Sequence, residues 1–455
     1  MGFALTVVYL VIYYLTPTAI FGPLAPYRIE LIVAVFAVIV SVPALTKSFI
    51  FRTPQSLALV GLGLAVVFSV LIGMHWAGGA VQAFLGFAPN AFAYFLICLH
   101  CNSKRKIQVL VLMLLFVCLF IISQGYIDLL RGVPSNAPIT TGATLSPYLL
   151  AQKSDAGDWI FRLRGLGDIN DPNDFAQVIV CLIPLMFIFW RKKKMLFNFV
   201  FVIVPVSALL FGAFLTHSRG AVVALLAVLV VAARRRIGTL FSLILAGGLF
   251  VAASVLNFTG GRDISADAGA SRVSLWGAGL QLLKMHPLFG VGFANMADEA
   301  GLTAHNSIVV CAAELGMFGL FFWSMFLFPT VRNALTIASP EKVSDGQPIA
   351  DEVGLYPGSA KKLVQIDKEE INRLGRLVFL SLCGFLVAGW FLSRAFVMTL
   401  FMLGAMAEVV FEMALQRGMV APRMRLTRVL AYSGGLAIAL VLVMYFMVLV
   451  LNRVK

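Results

Sequence analysis

Charge is scarce in this sequence. Only 12% of its 455 residues are Asp, Glu, Lys or Arg, against 60% hydrophobic, where a soluble domain carries about 25% charged residues. With a mean hydropathy of +0.95, a water-soluble globular fold is excluded. Only six cysteines occur. Cys98, Cys101, Cys118, Cys181, Cys311 and Cys383 all lie in or beside apolar runs, which argues against a disulfide framework. Cys98, His100 and Cys101 are close together, but no second Cys/His pair completes a zinc set. The nucleotide motif G-x-x-x-x-G-K-[ST] is missing, and Gly290-Val291-Gly292 lacks the strand-to-helix context of a dinucleotide fold. No G-x-S-x-G elbow offers a serine nucleophile. Neither of the two long outer loops assigned below has a D-x-D triplet for a divalent ion on a sugar nucleotide. Apolar residues run continuously rather than alternating, which excludes a membrane β-barrel. No internal repeat is evident, against a secondary transporter built from two related halves.

What the chain has in quantity is apolar runs of about 20 residues, the length that crosses a bilayer core of about 30 Å. The fold class expected is an all-α polytopic integral membrane protein with about twelve to thirteen transmembrane helices, two outer loops and one cytoplasmic insert. The runs predict helices near 1–15, 29–46, 55–73, 79–100, 107–124, 174–190, 196–215, 220–233, 237–257, 306–330, 376–393, 396–416 and 429–451. Met1 to Leu15 lacks a basic leader region and no small-residue cleavage site follows it, so this first run is expected to stay. The formal net charge of +14 comes from short clusters between runs. Lys47 and Arg52, Lys104 to Lys106, Arg191 to Lys194, Arg234 to Arg236, and Arg423, Arg425 and Arg428 mark cytoplasmic turns. The charge therefore reads as topology rather than as affinity for nucleic acid. Thirteen crossings would put the ends on opposite sides, while the basic tail Asn452 to Lys455 argues for the same side; the first segment is the one expected not to cross fully.

The markers divide the chain into N-terminal helices (1–124), an outer loop (125–173), helices with an "SRG" motif (174–257), a second outer loop (258–305), a motif-bearing helix (306–330), a cytoplasmic insert (331–375) and C-terminal helices (376–455). The insert is polar, mixed in charge and turn-rich, and reads as a flexible segment without a catalytic pattern. Chemistry is expected in the outer loops.

Those loops and the helix mouths beside them carry Arg162, Arg164, Arg219 and Arg272. A lone interfacial arginine snorkels to the headgroups, but several on one face suit phosphate, which guanidinium binds in forked, charge-assisted pairs. "DINDPND" (168–174) superficially resembles a calcium loop but lacks its glycine and closing glutamate. It reads instead as a helix start, with Asp171 as N-cap, Pro172 first and Asp174 third. His305 directly precedes the helix expected from Asn306, where the macrodipole disfavours an imidazolium and keeps the ring able to accept a proton. Glu314, nine residues on, is too deep to share that proton but is placed to hold a neighbouring helix or an arginine. Gly316 and Gly319 form a small-x-x-small face for close packing.

"HNSIVVCAAELGMFG" fits His-[Asn/Ser/Gln], nine residues, Gly, two residues, Gly, and resembles the O-antigen ligases and the bacterial protein O-oligosaccharyltransferases. "SRG" at 218–220, "RVSLW" from 272 followed by "HPLFGVGF", and "GDINDPNDFA" at 167–176 are similar to the O-antigen ligase and polymerase superfamily, in the family's order over about 160–320. The resemblance implies a glycosyltransferase without metal or other cofactor, on the periplasmic face of the bacterial inner membrane. It implies an undecaprenyl-pyrophosphate-linked glycan as donor and a hydroxyl on lipid A-core, another sugar or a side chain as acceptor. Arg219 and Arg272 would hold the pyrophosphate, with Arg162 and Arg164 in the same cationic set. His305 would be the base or a further phosphate contact. The second outer loop is short for a lipopolysaccharide ligase, and the family does not account for the insert. Polymerase or protein glycosylation are the near alternatives. A flippase for the same lipid-linked glycans, the distant one, would carry charges deep along several spans, whereas here they gather at the outer ends.

Overall fold

Away from water a backbone must satisfy its own N–H and C=O groups, and long apolar runs do so as helices. The computed structural model describes residues 1–46, 48–132, 144–153, 157–255, 258, 266–339 and 358–453. Its helices, in chain order, begin with α1 (Gly2–Leu15), α2 (Pro17–Ile20), α3 (Ile29–Leu45), α4 (Pro54–Phe68), α5 (Ala77–His100) and α6 (Lys104–Arg131). Three short strands follow, β1 (Thr144–Ser146), β2 (Leu149–Lys153) and β3 (Trp159–Leu163), paired antiparallel in that order. Next come α7 (Pro172–Met186), α8 (Met195–Asn198), α9 (Val204–Leu215), α10 (Arg219–Val255), α11 (Ala266–Met285) and α12 (Met296–Ala300). The last four are α13 (Ser307–Ala338), α14 (Gly358–Gly389), α15 (Met398–Gln416) and α16 (Leu426–Arg453).

Among the described residues eleven helical segments are long and apolar enough to cross a membrane, and α3 is a shorter apolar helix of 17 residues. The fold is therefore an all-α polytopic membrane protein. α10 has 37 residues, about 55 Å if straight. It breaks at Gly238, whose φ of 78° leaves the helical region, so the separate helices expected over 220–233 and 237–257 are the two arms of one segment. Two additions were not legible in the apolar pattern. α6 runs on to Arg131 and a small sheet follows it, and α11 occupies the second loop. The insert expected over 331–375 is helical on both flanks, as the end of α13 and the start of α14; its centre lies outside the described residues.

α7, α13 and α15 form the buried centre, and α13 packs against α4, α11, α14, α15 and α16. α3, the second arm of α10 and α16 instead turn Val35, Ile39, Leu240, Phe241, Tyr445 and Phe446 outward, as lipid-facing helices do.

α13 is not continuous. Gly316 has φ 64° and ψ −167°, which interrupts the helix ladder. The segment 287–292 is stitched into the gap: Val291 N–H donates to Ala313 O (3.0 Å), Gly292 N–H to Glu314 O (3.1 Å), Met317 N–H to Pro287 O (2.8 Å) and Phe318 N–H to Leu288 O (3.1 Å). Broken helix inside a membrane protein is tolerated where other protein groups satisfy the backbone in this way. A Cβ on Gly316 would lie 2.4 Å from the Leu288 carbonyl, and one on Gly290 2.4 Å from the Glu314 carbonyl. The Gly316 and Gly319 pair is thus not a helix-packing face, as the spacing predicts. Gly316 is a break, and Gly319 leaves room for Leu315, whose Cβ would be 2.1 Å from an added one.

Candidate active site

Several helices begin at one end of the bundle. Asp171 caps α7, its carboxylate accepting from Asn173 N–H at 2.8 Å. Ser218 Oγ accepts from Ala221 N–H at 3.4 Å at the start of α10. Asn306 caps α13, its Oδ1 accepting from Ile308 N–H (2.9 Å) and Val309 N–H (3.1 Å). The partial positive charges of these helix starts favour an anion nearby.

The turn between α14 and α15 is clasped by the start of α13. Asn306 Nδ2 donates to Trp390 O (3.2 Å) and Ser307 Oγ to Leu392 O (2.8 Å). Arg394 N–H donates back to Ser307 Oγ at 3.2 Å. His305 N–H donates to Ser393 Oγ (2.9 Å), which donates to Thr303 Oγ1 (2.7 Å). Trp276 of "RVSLW" donates from its indole to Ala304 O at 3.0 Å, tying α11 to the segment that leads into α13. This network holds His305 at φ 48°, a left-handed conformation that costs a non-glycine residue about 1–3 kcal/mol.

His305 lines a cavity of about 500 Å³ together with Asp168, Asp171, Asp174, Arg394 and, at the depth of the bundle, Glu314. Burial, and then the positive charge of Arg272, hold the imidazole below its usual value of 6.5, while the Asp171 carboxylate pulls the other way. The ring is therefore neutral at pH 7. Burial, and then repulsion from Arg219, likewise depress the Arg272 guanidinium. Arg272 thus lies within electrostatic reach of both Arg219 and His305, and neither arginine lines the cavity itself. Phe391 joins them: Arg272 sits over its ring at 5.7 Å. A Cβ on Gly220 would come within 3.3 Å of the Phe391 Cβ, which gives the glycine of "SRG" a packing role.

Not every expected residue joins this group. Arg162 is 3% exposed, and its guanidinium is committed to the protein: Nε donates to Thr216 O (2.8 Å), Nη1 to Gln152 Oε1 (2.9 Å) and Nη2 to Asn173 Oδ1 (2.9 Å). A buried arginine so bonded is a clamp between β3, β2, α7 and the end of α9, and it leaves the phosphate-binding set. Arg164 stays closer to the site. It donates from Nε to Pro147 O at 3.2 Å, burial depresses its guanidinium, and Asp171 offsets part of that. Glu314 holds a neighbouring helix rather than an arginine: its carboxylate accepts from the backbone N–H groups of Ala294 and of Met296, the first residue of α12.

Arg394 is the residue that sequence reasoning missed. Its Nε and Nη2 both reach Asp174 Oδ2 at 2.6 Å. The available signal was "LSRAF", a lone arginine in an outer turn between two apolar runs. A second missed group, Tyr13 and Asn90, gathers at Asp168: the Tyr13 hydroxyl donates to Asp168 and also lies 3.1 Å from Asn90 Oδ1. Asn90 Nδ2 is 3.4 Å from the same carboxylate. These residues sit on helices whose sequence reads only as apolar. Among the described residues no group of three or more His, Cys, Asp or Glu side chains is placed to hold a metal ion.

Chemically, two arginines in electrostatic reach of each other suit an anion, an imidazole lies within reach of one of them, and the cavity wall of carboxylates and an amide suits hydroxyl groups. No curated protein matches the chain. Residues 205–324, a stretch that contains Arg219, Arg272, His305, Gly316 and Gly319, match the family described as O-antigen ligase, which supports a place for this part of the chain in the O-antigen ligase superfamily.

Proposed function

We propose that the protein transfers a glycan from an undecaprenyl-diphosphate carrier to a hydroxyl acceptor, lipid A-core or a similar glycolipid, at the periplasmic face of the bacterial inner membrane. The observation that carries this reading is that Arg272 lies within electrostatic reach of both Arg219 and His305, with His305 on the wall of a polar cavity. Arg219 and Arg272 bind the donor diphosphate, with Arg164 at the periphery. The acceptor O–H gives its proton to the His305 imidazole as its oxygen bonds to the sugar C1. The bond from C1 to the phosphate oxygen breaks, and the negative charge that develops on the leaving diphosphate falls on the two guanidiniums. The leaving group supplies the driving force, so the reaction needs no nucleotide.

The acceptor side of this reading rests on the part of the cavity wall that carries Asp168 and Asn90. Asp168 lines both the cavity and an apolar groove of about 780 Å³ walled by Leu31, Val35, Val38, Ile39 and Leu85 of α3 and α5. These five aliphatic side chains are exposed, which suits an acyl chain whose sugar headgroup reaches Asp168 and Asn90. Carboxylates there repel a diphosphate and accept hydrogen bonds from sugar hydroxyls, so donor and acceptor are kept apart by charge.

The test is expression in cells that lack their own ligase. Glycan on lipid A-core is the expected product; longer lipid-linked chains would assign a polymerase, and glycan on protein an O-oligosaccharyltransferase. His305→Ala and Arg219→Ala should each lower transfer by about 10²-fold or more while membrane abundance is unchanged. Full activity in both variants would overturn the mechanism.

A further inference from the structure

A second polar cavity, of about 960 Å³, lies at the opposite end of the bundle. It opens between the start of α6, the turn that follows α7 and the first half of α14, whereas the far ends of α6 and α14 and the start of α7 belong to the His305 end. Its walls carry Lys104, Arg105, Arg191, Lys192, Arg373 and Arg376 against two carboxylates, Glu369 and Glu370.

Part of this charge is already employed. Lys104 pairs with Glu370. Arg373 donates to the carbonyls of Phe187 and Trp190, closing the C-terminal end of α7. Arg191 lies over the Phe197 ring at 4.1 Å. Arg105, Lys192 and Arg376 have no acidic partner among the described residues. The positive-inside rule explains why lysine and arginine occur at this end, but it leaves them free to splay toward water. Here cations from three separate segments face one concavity, where like charges repel and an anion relieves them.

We propose that this cavity binds a phosphate-bearing anion, either the headgroup of an anionic phospholipid or a soluble phosphate compound. Guanidinium groups from α6 and α14 supply forked contacts to phosphate oxygens, and Lys192 adds a point charge. Ile188, Phe189 and Trp190 form the apolar part of the wall, which a lipid headgroup with its glycerol would cover and a soluble phosphate would not. The inference is independent of the transfer reaction, since none of these residues approaches His305.

The experiment uses the purified full-length protein, delipidated in neutral detergent. One arm adds phosphatidylglycerol and, separately, phosphatidylcholine, and reads retained lipid by native mass spectrometry and the thermal unfolding midpoint. The other titrates inorganic pyrophosphate against chloride at equal ionic strength. Retention of phosphatidylglycerol over phosphatidylcholine, with a higher midpoint, assigns a lipid; saturable pyrophosphate binding without lipid preference assigns a soluble anion. In either case the triple variant Arg105→Gln, Lys192→Gln, Arg376→Gln should lose at least about tenfold in affinity, which is 1.4 kcal/mol. It should keep the parent's size-exclusion profile, which reports an intact fold; single Arg105→Gln serves if the triple variant does not fold. Binding equal in variant and parent, or no anion preference in either arm, overturns the proposal.

Discussion

Two buried carboxylates, one toward each end of the bundle, are each paired with an arginine from outside their own helix, yet they are built for different purposes. Glu408 of α15 is 0% exposed and saturated. Gln55 Nε2 (2.9 Å) and Asn333 Nδ2 (3.0 Å) donate to one oxygen, and Arg423 donates to the other from Nε (3.2 Å) and Nη2 (2.6 Å) while also reaching Glu412. Asp174 of α7 has the Arg394 guanidinium on one oxygen only and lines the His305 cavity. The first arrangement leaves no vacant acceptor and joins four segments of the fold. The second leaves an oxygen facing a cavity that a substrate would fill. A buried ion pair by itself is weak evidence for stability or for function; the difference lies in whether its remaining hydrogen-bonding capacity is used up.

Removing the arginine from each pair is the strongest way to break this comparison. Arg423→Ala leaves Glu408 buried without its cation, which costs about 3–5 kcal/mol and should appear as a lowered unfolding midpoint and reduced abundance. Arg394→Ala opens Asp174 to a cavity that water can enter, so its stability cost should be nearer about 1 kcal/mol, with the larger effect on glycan transfer. Equal loss of stability in both variants would make the two carboxylates equivalent and remove Asp174 from the site.

Much of this was legible in the residues, and the remainder was not for identifiable reasons. Continuous apolar runs gave the helices, because length and hydrophobicity alone decide whether a segment suits a bilayer. Asp171 and Pro172 gave the start of α7, since a cap is a local signal. Arg162 was misread because a guanidinium that binds phosphate and one that binds Thr216, Gln152 and Asn173 look alike until the sheet is folded. Gly316 was misread because its spacing from Gly319 suits helix packing, whereas its role depends on segment 287–292, more than twenty positions earlier in the chain. Arg394 is joined to Asp174 by contacts that no local pattern encodes.

The break in α13 lies between the two ends and sharpens the contrast through a smaller change. Gly316→Ala places a Cβ 2.4 Å from the Leu288 carbonyl at a φ of 64°. Clash and backbone strain together should cost about 2–3 kcal/mol. If the stitch chiefly supports the His305 end, hydrogen exchange should rise over 287–296 and around His305 before it rises around Glu408. Uniform loosening of both ends would show that the bundle responds as one unit.

The smallest expected effect concerns pH, and it tests the open end alone. His305 titrates below the usual imidazole value because burial and Arg272 disfavour its charged form. As a base it works when neutral, so transfer should hold as pH falls through 6.5 and decline only on the acid side of that value. Arg272→Ala removes a positive neighbour, which makes the imidazolium easier to form; the acid limb of the residual activity should therefore move to higher pH. Asp171→Asn keeps a competent helix cap but removes a negative neighbour, so its limb should move to lower pH. Opposite displacements in the two variants are the signature of a titrating His305 lying between them. An acid limb that stays in place in both would mean that the group limiting the rate is elsewhere, and His305 would then be left with the role of a phosphate contact.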